Sequence, residues 1–253
     1  MKKAYILHHL GLGDHILCNS IFRYYAKKYS MCILPVKERN RQSLSDMLAD
    51  VENIQILSLG DEHTDNIMIE KSFHYKMLGY EIIGMGLFGE GFLEDPNLRY
   101  DKNFYLQAGL DFEKRWSDFY YPRNEESEYN LFKQICGDDV KEGEYIFLHE
   151  DTSRGFRINR GMLPRGMKII TPGIKKQHAL GDNENGKFFN YGYILENAAM
   201  IHCIESSFAA LIDSIQLPQS IKKHAHRYAR PEASNDHRFQ FTYKTNWNII
   251  SFT

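Results

Sequence analysis

An aspartate follows a glycine-rich turn near the start of the chain, between an apolar segment and an amphipathic one. The apolar segment Ala4–His8 is followed by Gly11, Gly13, Asp14 and His15. The apolar run predicts a strand, the glycines permit a sharp turn, and the later apolar residues recur at helical spacing. Asp14 therefore falls at an expected helix N-cap, at the mouth of a crevice if the sheet is parallel. This carboxylate could therefore serve either as a helix cap or as a catalytic group.

Three arginines occur at three-residue spacing in the loop after another predicted strand, Tyr145–His149. Arg154, Arg157 and Arg160 share this loop with two glycines, in a chain whose formal net charge is -2. The planar guanidinium group matches phosphate oxygens, so the loop is a candidate for holding a diphosphate. The alternative is a solvated face on which the arginines pair with the preceding acidic residues, Glu150 and Asp151.

A second strand-to-helix turn contains Glu205, Ser206 and Ser207. It follows the predicted strand Met200–Ile204, and the apolar residues after it keep helical spacing. Either serine is a suitable N-cap, and the free N–H groups at a helix start attract anions. His149 ends its own strand and is expected near the same crevice. The turn therefore predicts either an ordinary cap or a diphosphate site.

The segment Leu12–Leu17 resembles the Gly-Asp-x-apolar-apolar turn of heptosyltransferase-like glycosyltransferases, which have the two-domain B-type glycosyltransferase fold. In that family the matching aspartate lies beside the acceptor and is the proposed general base. The resemblance implies this role for Asp14 and puts Gly11, Gly13 and His15 on the acceptor side. Glu205–Ser207 stands where the family usually has Asp-(Ser/Thr)-Gly, the turn that holds the donor phosphates.

The resemblance implies an α/β protein of two Rossmann-like parallel-sheet domains that face a central cleft, residues 1–122 and 123–253. The first domain would take the acceptor, a glycan or glycolipid. The second would bind a nucleotide-sugar donor through His149, the arginine loop and the turn at Glu205. The sugar would pass to an acceptor hydroxyl without a cofactor or a metal ion. The alternatives are a nucleotide-sugar epimerase, which shares the fold, and a non-catalytic protein that binds nucleotides or sugar phosphates.

Composition limits the classes of function that fit this chain. Its 253 residues are 43% hydrophobic and 13% aromatic, which supplies enough core for two α/β domains. A formal charge of -2 gives no overall basic field, so nucleic acid is not an expected partner. The four cysteines form no Cys-x-x-Cys pair and no ligand spacing indicates a metal site. Without a signal-like start or a membrane-spanning run, we expect a cytoplasmic protein that can contact a membrane surface.

Predicted strands and helices alternate along both halves of the sequence. This alternation is typical of parallel sheets with helices on their faces. The tail Ser220–Thr253 is basic and aromatic, and it is interpreted as an acceptor- or domain-contacting segment that ends in a strand. The remaining predicted strands are Met31–Val36, Asn53–Leu59, Tyr80–Met85 and Met167–Thr171.

Overall fold

A computed structural model describes residues 2–86, 94–137, 139–172, 188–244 and 246–251. The chain divides into two compact units, Met1–Pro122 and Arg123–Thr253. Each unit is built around its own parallel sheet, with helices in the connections between strands. Within the described ranges, no helix is long and apolar enough to cross a membrane.

The first unit contains a four-stranded parallel sheet. Its strands are β1 (Lys3–Leu7), β2 (Met31–Val36), β3 (Ile54–Ser58) and β4 (Glu81–Gly84), and they lie in the order β3-β2-β1-β4. Its helices are α1 (Leu12–Leu17), α2 (Asn19–Lys28), α3 (Arg41–Met47), α4 (Thr64–Met77), α5 (Tyr100–Gln107) and α6 (Lys114–Ser117). The turn that carries Asp14 thus follows a central strand.

Burial explains why β1 and β2 are apolar almost throughout. Residues 4–7 of β1 are all buried, as are the last five of β2. A parallel strand covered on both faces has no solvated side, so its apolar residues need not alternate with polar ones. Tyr5 donates a hydrogen bond of 3.1 Å from its hydroxyl to the carbonyl of Met68, which ties β1 to α4.

The second unit contains a five-stranded parallel sheet. Its strands are β5 (Tyr145–His149), β6 (Lys168–Ile170), β7 (Met200–Cys203), β8 (Lys222–His226) and β9 (Trp247–Ile250), in the order β6-β5-β7-β8-β9. Its helices are α7 (Glu125–Cys136), α8 (Gly192–Glu196), α9 (Ser207–Ser214) and α10 (Pro231–Asn235). The carboxyl ends of β5, β7 and β8 therefore meet at one edge of this sheet.

Part of the basic tail has a structural role that its composition does not indicate. Lys222–His226 forms β8 beside β7, and Trp247–Ile250 forms β9 beside β8. Ala225 and His226 are fully buried in this sheet. A buried imidazole is tolerated because burial lowers the pKa of His226 to about 4, so the ring is neutral near pH 7. These two segments of the tail are therefore strands of the second sheet.

Candidate functional site

The turn after β1 places Asp14 inside the first turn of α1. The helix begins at Leu12 with Gly11 as its N-cap, and the N–H of His15 donates to the Gly11 carbonyl at 3.0 Å. Asp14 is therefore the third helical residue, and its predicted position as N-cap is wrong. Gly11 already has the extended backbone of an N-cap, with φ -73° and ψ 144°, so the helix starts earlier. The carboxylate still lies at the positive end of the helix.

The Asp14 carboxylate folds back over Gly11. A Cβ atom at position 11 would lie 2.5 Å from Asp14 Oδ2, closer than real side chains approach. The absence of a side chain at Gly11 thus creates the space that the carboxylate occupies. Asp14 and Gly13 are both half-buried, so this turn is accessible to solvent.

Two buried histidines lie beneath this turn. His15 is fully buried, and its ring packs edge-on against that of His8 with centroids 4.6 Å apart. Neither ring nitrogen of His15 has a hydrogen-bond partner among the described residues. Burial lowers the pKa of His15 well below its usual value and that of His8 to about 4. Both rings are neutral near pH 7, and the His15 ring, predicted on the acceptor side, lies in the core under the turn.

Asn40 supports the turn from the neighbouring strand. It follows β2, and its Nδ2 donates to the carbonyl of Leu10 at 3.0 Å. Both residues are buried, so the amide and the carbonyl satisfy each other away from water. Asn40 is not among the residues that the sequence singles out. Its signal is only a polar residue just after a strand, and the pairing of β1 with β2 gives that residue its position.

In the second unit, His149 and Ser206 are in contact at the carboxyl edge of the sheet. His149 Nδ1 lies 3.0 Å from Ser206 Oγ. Ser206 is the N-cap of α9, but its hydroxyl does not cap the helix. Burial lowers the pKa of His149 to about 4, so this contact involves a neutral ring near pH 7. The first amides of α9, beside the half-buried Ser207, therefore have no side-chain cap and can donate to an anion.

Glu205, predicted to help bind the donor, lies in a buried ion pair. It is fully buried, and its Oε1 accepts hydrogen bonds of 2.8 and 3.1 Å from Arg227. Arg230 donates from Nη1 to the Glu205 carbonyl oxygen at 2.9 Å. Burial raises the pKa of Glu205, while Arg227 opposes that shift. The sequence does not single out these arginines for this site, although they directly follow β8 and so lie at the same sheet edge.

Two of the three loop arginines pair with neighbouring acidic residues. Arg154 forms an ion pair with Asp151, and Arg160 Nη2 lies 2.6 Å from Glu150 Oε2. Arg157 is exposed and has no ion pair among the described residues. Arg154 and Arg160 thus match the alternative interpretation of the loop, in which solvated arginines pair with the preceding acidic residues. Their side chains are still 52% exposed.

Arg154 is the loop arginine whose charge acts on His149 at the end of β5. Burial lowers the pKa of His149, Asp151 opposes that shift, and the Arg154 guanidinium adds a smaller lowering effect. His149 in turn contacts Ser206. The loop is also tied to the segment after β8, because the N–H of Asn159 donates to the Tyr228 hydroxyl at 2.8 Å. Of the residues predicted to hold a diphosphate, His149 and Ser206 are in direct contact, while Arg154 is paired with Asp151.

Three histidines of β7 and β8 form a separate polar contact within the second sheet. His202 Nδ1 lies 2.9 Å from His226 Nε2, and the His202 ring stacks on that of His224 at 4.3 Å. Burial lowers the pKa of His202 to about 3, and the two other histidines add to this shift. In the part of the chain that the structure describes, no group of three or more histidine, cysteine or acidic side chains could hold a metal ion.

No protein-family model and no curated protein matches the sequence. Solved structures do match it in fold. The family 9 glycosyl transferase of Veillonella parvula is 11% identical with a TM-score of 0.60, over 99% of this chain and 87% of that one. The ADP-heptose LPS heptosyltransferase II of E. coli is 12% identical with a TM-score of 0.55, over 99% of this chain and 90% of that one.

The likeness to these two structures is one of fold. At 11% and 12% identity it assigns no role to any residue of this chain. The two parallel α/β sheets and the match along nearly the whole chain confirm the predicted fold class. The chain has the B-type glycosyltransferase fold, and its structural likeness is to heptosyltransferase-like glycosyltransferases.

Proposed function

We propose that the chain is a glycosyltransferase that moves a sugar from a nucleotide-sugar donor to a hydroxyl of a glycan or glycolipid. The observation that carries this proposal is the half-buried Asp14 carboxylate, seated over Gly11 in the first turn of α1. The fold is shared with two glycosyltransferases, one of them named for the nucleotide sugar ADP-heptose. These observations support sugar transfer ahead of the other chemistries that the fold permits.

The first unit takes the acceptor in this proposal, with Asp14 as the general base. The acceptor oxygen attacks the anomeric carbon of the donor, and Asp14 receives the hydroxyl proton. The bond between that carbon and the diphosphate oxygen breaks, and its electron pair leaves with the nucleoside diphosphate. Gly11 leaves room for the carboxylate, Gly13 adds no side chain beside it, and His15 supports the turn from below. Positioned base catalysis of this kind contributes ~10²–10⁴-fold to a rate.

The second unit takes the donor, with its diphosphate at the start of α9. The uncapped amides of the helix, together with the hydroxyls of Ser206 and Ser207, are suitable donors to phosphate oxygens. Arg154, which is paired with Asp151, would contribute a guanidinium group from the loop after β5, and His149 contacts Ser206. Amides and guanidinium groups offset the charge that develops on the leaving diphosphate, so the proposed reaction needs no metal ion.

The experiment that tests the proposal follows labelled sugar from donor to acceptor. A thermal-shift screen over nucleoside diphosphates and their sugars selects the donor, because a ligand that binds only the native state raises its stability. The labelled donor is then incubated with and without candidate acceptors. Label in the acceptor supports transfer. Interconversion of the sugar nucleotide would indicate an epimerase, and binding without either reaction would indicate a non-catalytic protein.

A further inference from the structure

A break separates the short helix that carries Asp14 from the helix that follows it. α1 ends at Leu17, Cys18 departs from helical geometry with φ -91° and ψ 4°, and α2 begins at Asn19. α1 has six residues and is therefore only about 9 Å long. Because so short a helix has little stability of its own, its contacts with the rest of the unit decide where it lies.

The hydroxyl group of Tyr105, on α5, reaches this break. It donates to the carbonyl of Leu17 at 2.9 Å and lies 2.6 Å from Ser20 Oγ in α2. A phenol has one hydrogen, so Ser20 is the donor in the second bond when Tyr105 donates to Leu17. One oxygen atom thus joins the end of α1 to the start of α2. It also satisfies a carbonyl at a helix end, where the helix itself supplies no N–H group.

This contact lies in the core of the first unit. Tyr105, Leu17 and Ser20 are all buried, so water does not readily replace a hydrogen bond that is lost there. Burial raises the pKa of Tyr105, so the hydroxyl group keeps its proton. The bond to the Leu17 carbonyl is therefore a permanent feature of the folded unit near pH 7.

Tyr105 is held in place by α5 and α6. Asp101, one turn before it on α5, forms an ion pair with Arg115 of α6, and Oδ2 and Nη1 are 2.9 Å apart with both side chains fully buried. The Tyr105 ring packs edge-on against Phe112, with centroids 5.3 Å apart. Separation of the ion pair would leave an uncompensated charge in the core, which is strongly unfavourable. The Tyr105 hydroxyl therefore contacts α1 from a fixed position.

We propose that Tyr105 is a positioning residue, whose hydroxyl holds the break between α1 and α2 and so sets the position of Asp14. The link to catalysis rests on the proposed role of Asp14 as general base. Leu17 lies three residues after Asp14, about 4.5 Å along the helix axis, so a displacement of the helix end also displaces the carboxylate. A shift of about 1 Å in a reacting group can cost ~10²-fold in rate.

Tyr5 provides a matched control in the same unit. It is also buried, and its hydroxyl donates to the carbonyl of Met68 in α4 rather than to α1. Tyr105→Phe and Tyr5→Phe each remove one buried hydrogen bond from a phenol to a carbonyl and keep the aromatic ring. We therefore expect both variants to fold and to lose similar amounts of melting temperature. A difference between them reports the position of the hydroxyl rather than its contribution to stability.

Hydrogen exchange of the full chain, followed by NMR, measures how firmly α1 is held and needs no substrate. The reporters are the amides of His15 and Cys18, which donate to carbonyls within α1 and its N-cap. Both amides should exchange about tenfold faster in Tyr105→Phe than in Tyr5→Phe, because α1 opens locally. Equal exchange in the two tyrosine variants would overturn the proposal.

Ser20→Ala separates the two bonds of the Tyr105 hydroxyl. This variant removes the bond to α2 and keeps the one to Leu17, so exchange of the His15 and Cys18 amides should stay near the parental rate. Exchange as fast as in Tyr105→Phe would contradict the assignment of the hold on α1 to the Leu17 bond.

The kinetics of sugar transfer by the same variants test the link to Asp14. In Tyr105→Phe, kcat should fall by about tenfold or more while the KM for the donor is unchanged, since the donor is assigned to the second unit. Tyr5→Phe should keep the parental kcat. Equal kcat values in the two variants would overturn the positioning role. A parent chain that transfers no sugar would contradict the proposed function, and the exchange rates would still decide whether Tyr105 holds α1.

Discussion

The β1–α1 turn and the β7–α9 turn share a local fold but treat negative charge in opposite ways. In the first, Asp14 stands within the first turn of the helix, over Gly11. In the second, Glu205 is fully buried against Arg227, and the first turn of α9 contains no acidic residue. The carboxylate of the first turn is thus partly accessible to solvent, whereas the carboxylate of the second is buried in an ion pair.

This difference decides what each helix start can bind. The start of a helix carries about half a positive charge. In α1 that charge meets the carboxylate of its own Asp14, which favours a base over an anion site. In α9 it remains available, because Ser206 contacts His149 instead of the helix amides. A few residues, rather than the fold, therefore separate a candidate base from a candidate phosphate site.

The largest effect is expected from Asp14→Asn, which removes the feature that distinguishes the first turn. The amide cannot take the acceptor proton, so the sugar-transfer rate should fall by ~10²–10⁴-fold. Nucleotide affinity should persist, since the donor is assigned to the second unit. Loss of a charge from the helix start should cost only ~0.3–1 kcal/mol of stability. Transfer rate and nucleotide affinity are measured on the same folded variant, and near-parental turnover would exclude Asp14 as the base.

Arg227→Ala tests whether Glu205 is neutralised as the comparison requires. A buried carboxylate left without its partner should lower the free energy of unfolding of the second unit by ~3–5 kcal/mol. The chain has two tryptophans, Trp116 in the first unit and Trp247 in the second. In a Trp116→Phe background, the fluorescence of Trp247 during urea unfolding therefore reports the second unit alone.

The control for this measurement is the added substitution Glu205→Gln. It removes the charge that Arg227→Ala leaves uncompensated, so the double variant should recover part of the lost stability. A loss below ~1 kcal/mol in Arg227→Ala alone would mean that the pair does not hold this turn, and Glu205 would again be a candidate for direct ligand binding.

Gly11→Ala perturbs the first turn without removing its carboxylate. The new Cβ would meet Asp14 Oδ2 at 2.5 Å, so the end of the Asp14 side chain must move. This movement costs little stability, but a shift of about 1 Å in a reacting group can cost ~10²-fold in rate. We expect a rate loss of that size with a nearly parental melting temperature.

A double-mutant cycle measured by transfer rate sharpens this prediction. If Gly11 acts only through the carboxylate, Gly11→Ala should add nothing to Asp14→Asn, because the two substitutions remove one interaction. Fully additive losses would show that Gly11 affects transfer by another route, such as the fit of the acceptor itself.

The sequence predicts every described strand except β8, and it predicts the two turns, because their signals are local. The predicted strand Tyr145–His149 coincides with β5, and both turns lie where apolar runs end. The predicted N-cap at Asp14 is wrong, because the helix begins three residues earlier, with the extended Gly11 as its N-cap. A glycine-rich turn leaves that starting point undetermined in the sequence.

Local sequence patterns do not predict which residues contact the site residues. Arg227 reaches Glu205 only because β8 lies beside β7, and Asn40 reaches Leu10 only because β2 lies beside β1. Strand order sets these contacts, and no periodicity in the sequence encodes it. From the sequence alone, the basic residues near Arg227 are therefore interpreted as an acceptor- or domain-contacting segment, although they follow a strand whose end is buried.

The smallest effect is expected in the arginine loop, where Arg154 and Arg157 differ in what they can reach. Arg154 and its partner Asp151 both act on His149, which contacts Ser206, whereas Arg157 is exposed and has no ion pair among the described residues. If the α9 start holds the diphosphate, Arg154→Ala should weaken nucleoside diphosphate binding about tenfold, or ~1.4 kcal/mol. Arg157→Ala should weaken it less.

Calorimetric titration of both variants with the nucleotide found by the thermal-shift screen measures this difference. Arg154→Lys keeps the charge but loses the planar fork, so its affinity should fall between those of the parent and Arg154→Ala. Arg157 is exposed, so Arg157→Ala should change stability by no more than ~0.5 kcal/mol. Arg154→Ala also removes an ion-pair partner from the buried Asp151, so it should destabilise the second unit more than Arg157→Ala does. If Arg154→Ala, Arg157→Ala and Arg160→Ala all bind like the parent, the loop is a solvated face. The α9 turn would then have to hold the diphosphate with its own amides and hydroxyls. The difference between the two turns would in that case lie in Asp14 and not in the arginine loop.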